Sequence, residues 1–95
     1  MKYNYLTNFE RQLSLYDGML IETSGSFGKG RLVGDEYESL CLDTARKFMM
    51  EGGKKEELLI IINKYILQYK DDKEWRYLDL EMSFLNSLEE KIEIL

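Results

Sequence analysis

Histidine and proline are absent from the 95 residues, and cysteine occurs once, at Cys41. Without His, the commonest general base and the commonest nitrogen ligand for metals are both missing. A single thiol builds neither an internal disulfide nor a structural zinc site, and a reducing compartment is the expectation. No acidic loop is spaced around a glycine as a calcium site requires. The longest apolar run, Leu58–Ile62, is five residues, far short of the ~18 that mark a membrane span. The opening M-K-Y-N-Y-L-T-N-F-E contains no apolar stretch of signal-peptide length, which points to the cytoplasm. Positive charge is in deficit, with 13 basic against 18 acidic residues and a net charge of −5. That balance counts against direct binding of nucleic acid or of anionic membranes.

What the chain does have is apolar surface at helical spacing. At 44% apolar and 33% charged residues, it belongs with folded proteins and not with disordered ones. Its length suits one domain, residues 1–95, and a domain of this size buries only about 60–65% of its unfolded surface. It therefore gains from self-association. Residues 1–70 hold ten acids and ten bases, whereas 71–95 hold eight acids against Lys73, Arg76 and Lys91. The whole net charge sits in the final segment.

Leu6, Phe9, Leu13, Tyr16 and Leu20 recur at three- and four-residue steps, predicting a first helix over about 4–22. Thr7-x-x-Glu10 offers a capping box, and Asn4 is a rival cap one turn earlier. Gly18 faces solvent on that helix. T-S-G-S-F-G-K-G then reads as a loop. An alternative ends the first helix at Asp17 and pairs a strand Met19–Thr23 with Arg31–Val33, giving a small hairpin over 19–33. Asp35, with Glu38 closing a capping box, starts a second helix over about 35–51. Its stripe is Tyr37, Leu40, Cys41, Thr44, Ala45, Phe48 and Met49, and Gly52-Gly53 ends it. Cys41 lies on that stripe, which favours packing over nucleophilic chemistry.

From Lys54 to Leu95 neither Gly nor Pro interrupts the chain. A third helix presents Leu58, Ile61, Ile62, Tyr65, Ile66 and Tyr69, with Ile60 and Leu67 on the opposite side. Asp71-Asp72 then caps a fourth helix over about 72–93. Its main stripe is Trp75, Leu78, Met82, Leu85, Leu88 and Ile92. Tyr77, Phe84 and Leu95 point about 100° away, with Leu80 a little further round, so the apolar arc is wider than a surface helix needs. The expected fold is all-α: four helices, the last two forming a long antiparallel hairpin turned at Lys70–Asp72, with α+β as the alternative if the 19–33 hairpin forms.

Three features carry functional readings. The surplus apolar positions Ile60, Leu67, Tyr77 and Phe84 suit docking on a protein partner or on a second copy of the chain, a dimer being the simplest case. The acidic strip Asp72, Asp79, Asn86, Glu90 and Glu93 suits a basic partner or a solvated face. The stretch Gly25–Gly30 with Arg31 could hold a phosphate through glycine amides, Lys29 and Arg31, or dock Phe27 into a partner. It departs from a P-loop, because Thr23 and Gly30 stand where a glycine and a Ser or Thr are needed. The expectation is a non-enzymatic interaction module without metal or cofactor, acting by stoichiometric docking. Small mobile-element proteins that inhibit bacterial defences or neutralise toxins share this size and acidic helical composition, a likeness of composition alone. The alternatives are a nucleotide-phosphate binder using residues 25–31 and a purely structural oligomer subunit.

Overall fold

The helical periodicity is realised as four helices. In the computed structural model the described residues are 4–22 and 27–95, with side chains described outside 20–33. The helices are α1 (Tyr5–Glu22), α2 (Phe27–Met50), α3 (Lys55–Lys70) and α4 (Leu78–Glu93). The fold is all-α, and the described residues contain no strand. The 19–33 hairpin does not form: α1 runs on through Met19 to Glu22, and Arg31–Val33 lie inside α2.

Asn4 is the cap of α1, its Oδ1 accepting the Thr7 amide at 3.0 Å, which settles the start one turn before the Thr7 box. The start of α2 differs from expectation. Phe27, Gly28, Lys29 and Gly30 are already helical, so the predicted loop reaches no further than residue 26, and 23–26 fall outside the described residues. Asp35 is therefore no cap, and Glu38 is a buried mid-helix residue. Gly34 has a packing reason to be there. A Cβ at that position would come within 3.0 Å of the Tyr16 phenolic oxygen.

The end of α2 is as expected. The Gly53 amide donates to the Phe48 carbonyl at 3.0 Å and the Gly52 amide to the Met49 carbonyl at 3.1 Å. With Gly52 at φ 95°, this is the paired-bond Schellman stop. The Glu57 carboxylate then accepts the Lys54 amide at 3.3 Å, opening α3.

The reversal between α3 and α4 takes seven residues, 71–77, and α4 begins at Leu78 instead of residue 72. Trp75 lies in this connection, its ring 6.4 Å from that of Tyr69 and 5.3 Å from that of Tyr77. The short hydrogen-bonded turns Asp72–Tyr69, Trp75–Asp72 and Leu78–Trp75 hold it there. A straight helix through 72–77 would carry Trp75 away from the end of α3.

α1 and α2 form one antiparallel hairpin, α3 and α4 a second. The hairpins pack with α2 along α4, while α1 meets α3 more lightly. The Glu10–Lys64 ion pair and a 2.8 Å bond between the Ser14 and Tyr65 hydroxyls join α1 to α3. The core contains Phe9, Leu13 and Tyr16 of α1, Cys41 and Ala45 of α2, and Leu58 and Ile62 of α3. α4 supplies the largest share: Leu80, Phe84, Leu85, Leu88 and Ile92. Its wide apolar arc is thus consumed internally, being covered by both hairpin partners and by Tyr16.

Candidate functional site

The parallel run of α2 beside α4 leaves a groove between them. Its volume is about 210 Å³, and it is lined by Tyr16, Gly34, Asp35, Glu38, Asp79, Leu80, Ser83, Phe84 and Ser87. Helical spacing explains the lining. Asp79, Ser83 and Ser87 are four residues apart and form a polar ladder along one edge of α4, facing Asp35 and Glu38 of α2. Leu80, Phe84 and Tyr16 make the floor, because each is a buried core residue. The absence of a side chain at Gly34 lets the Tyr16 hydroxyl reach this wall.

Three carboxylates on one small groove make it a site for positive charge. One cation is already present: Lys91 pairs with Glu38, whose side chain is only 10% exposed. The Glu38 bond and charge hold the Lys91 ammonium above its usual pKa, with Asp35 adding a smaller push. Asp35 and Asp79 stay exposed. Tyr16 is pushed up to about 12 by burial first, then by the nearby Glu81 and Asp35. Its phenol is therefore a neutral hydroxyl over the whole neutral range.

A second cavity of about 300 Å³ lies on the outer side of the α1/α2 hairpin, between Tyr5, Asn8, Gln12, Leu40, Asp43, Thr44 and Lys47. One acid and one base there leave no preferred charge. Among the described residues, no group of three or more Cys, Asp or Glu is set to hold a metal ion, and no helix is long and apolar enough to cross a membrane.

The residues expected at the surface divide. Ile60 and Leu67 are 67% and 65% exposed on the outer side of α3, one above the other. Phe84 is not with them: at 5% exposure it is a core residue against Tyr16, 4.3 Å between ring centroids. Tyr77 is half-buried against the core and beside Trp75. The four positions therefore form no single patch. Phe27, Lys29 and Arg31 belong to the first turns of α2, and their side chains lie outside the described ones. Cys41 is buried, and burial followed by the nearby Glu38 pushes its thiol up to about 12, which leaves almost no thiolate.

Sequence reasoning missed Glu38 and Glu81. The signal was present in both cases. Glu38 is in phase with Cys41 and Ala45, and Glu81 with Leu85, Leu88 and Ile92, so each acid occupies a place in an apolar stripe. No protein-family model, curated protein or solved structure matches the chain.

Proposed function

We propose that the protein is a non-enzymatic interaction module that docks on a basic segment of a partner protein through the α2/α4 groove. The observation that carries this reading is the lining: Asp35, Glu38 and Asp79 around an apolar floor of Tyr16, Leu80 and Phe84. A basic side chain with an apolar stem matches both parts, its charge at the rim and its methylenes on the floor. The groove volume of about 210 Å³ is below the ~300–1,000 Å³ of small-molecule sites, which favours a side chain over a nucleotide. Its carboxylates also oppose a phosphate. The acidic strip of Asp72, Asp79, Glu90 and Glu93 is exposed and extends the attraction along α4, speeding encounter with a basic surface.

Titration with a labelled peptide of alternating Arg and Leu tests the reading. The expected result is binding that weakens as salt is raised and falls at least tenfold in the Asp35→Asn, Asp79→Asn double variant. Equal binding by both proteins, or equal binding of a Glu-Leu peptide, would overturn it. A second reading, self-association, rests on the exposed Ile60 and Leu67 and uses a different face, so the two are separable.

A further inference from the structure

Glu81 lies inside the core stripe of α4 at 2% exposure. Its Oε1 has no hydrogen-bond partner, and neither do Oδ1 of Asp17 and Nε1 of Trp75, all three atoms being buried. No bond of good geometry joins them, yet the three groups lie near enough for Asp17 and Trp75 to act on the Glu81 proton. Every element packed at this end of the domain contributes. α1 brings Asp17 and Tyr16, and α3 brings Tyr69 with Tyr65 one turn before it. The connection brings Trp75, and Asp35 of α2 acts from behind Tyr16. All of these are acids or phenols apart from the neutral indole, and no ion pair among the described residues reaches Glu81. Among the described residues, a carboxylate formed here has no cation to offset it.

The connection 71–77 is anchored at this same point. Trp75 is its one large apolar side chain before Tyr77: its ring stacks on that of Tyr69 and meets that of Tyr77 edge-on, and its indole nitrogen is buried. We propose that Glu81, facing Asp17, is a proton-holding latch: with its carboxyl protonated, the 71–77 connection stays closed over this end of the core through Trp75, and loss of that proton releases it. Burial first, and then the facing Asp17 carboxyl, push Glu81 up to about 9, while the Trp75 indole pulls weakly the other way. The latch is closed at neutral pH and opens in the alkaline range. It stands apart from the docking reading, since none of Asp17, Trp75 and Glu81 lines the groove.

Trp75 is the only tryptophan, so its emission, excited selectively over tyrosine, reports on the latch in the full-length chain. In the wild type the emission is expected to shift to the red with a midpoint near about 9, while the far-ultraviolet circular dichroism keeps its helical form. Glu81→Gln cannot lose the proton, and its emission is expected to stay constant over the same range. Asp17→Asn removes the facing charge and is expected to move the midpoint to lower pH. A wild-type transition retained in Glu81→Gln overturns the latch, and so does loss of helical signal in step with the emission. If Glu81→Gln does not fold, an unmoved midpoint in Asp17→Asn overturns it equally.

Discussion

The Tyr16 ring lies tilted by 40° against the Phe84 ring, with 4.3 Å between centroids, and joins α1 to α4 through the middle of the domain. Such a pair adds about 0.5–1.5 kcal/mol to the burial of the rings themselves. The contact accounts for the wide apolar arc of α4: the side away from α3 faces another helix of the same chain and not a partner. Phe84→Ala is therefore expected to cost about 3–5 kcal/mol in urea unfolding. Phe84→Glu is expected to abolish the cooperative transition. A loss below about 1 kcal/mol in the alanine variant would place Phe84 at the surface.

Two glycines predict opposite effects. Gly18 sits inside α1 with nothing within 4 Å of where a Cβ would be, so Gly18→Ala is expected to stabilise by up to about 1 kcal/mol. Gly52 holds φ at 95° to close the α2 stop, and Gly52→Ala is expected to cost about 1–2 kcal/mol from left-handed strain. Thermal unfolding of both variants beside the wild type reads the signs directly.

The four helices and most of their buried faces were legible in the sequence, because Phe9, Leu13, Tyr16, Leu58, Ile62, Leu85, Leu88 and Ile92 keep the 3.6-residue period. What was not legible came from two sources. Glycine content argued for a loop over 23–30 and a helix start only at Asp35, but local propensity is a weak prior, and Gly34 serves a tertiary contact with Tyr16 that no periodicity shows. Periodicity also carried Trp75 into α4 as though the helix began at residue 72, when the ring instead stacks on Tyr69 in the connection. The groove was half legible. The acidic strip on α4 could be read from spacing, but its pairing with Asp35 and Glu38 depends on α2 lying along α4, which the sequence does not state. The same ignorance of neighbours made Phe84 look spare.

Ile60 and Leu67 remain the two apolar side chains of α3 that the domain itself leaves uncovered, seven residues and two turns apart. If they seal a contact between two copies, light scattering at micromolar concentration is expected to give twice the 11.3 kDa chain mass. Ile60→Glu with Leu67→Glu is then expected to return it to one, with helical circular dichroism intact, since neither side chain enters the core. A monomeric wild type under those conditions would remove the self-association reading.

Lys91 is the partner that Glu38 has across the α2/α4 contact. Lys91→Ala leaves a nearly buried carboxylate without its cation. Since the Lys91 side chain is 51% exposed, solvent screens the pair, and the expected loss is about 1 kcal/mol. Adding Glu38→Gln is expected to recover most of that loss. A double-mutant cycle by urea unfolding measures the coupling, and a loss in the double variant equal to the sum of the two single losses would mean that the pair contributes none.

The buried acid gives the stability a pH dependence of unusual sign for a carboxylate. Glu81 has a folded pKa raised to about 9 against an ordinary value of 4.5. Between those two values the folded state holds a proton that the unfolded chain has lost, so rising pH favours unfolding. The contribution is complete below about 4.5, declines through the neutral range and is gone above about 9. For a single proton the slope is at most about 1.4 kcal/mol per pH unit, and between pH 6 and 8 it amounts to a few kcal/mol at most. Glu81→Gln keeps the hydrogen-bonding shape and removes the ionisation, so its stability is expected to be nearly flat where the wild type declines. It is expected to exceed the wild type increasingly as pH rises from about 6 to about 9. Other carboxylates titrate in both proteins, so the difference between the two unfolding curves isolates Glu81. Parallel curves across that range would show that Glu81 ionises at its ordinary pKa, despite 2% exposure.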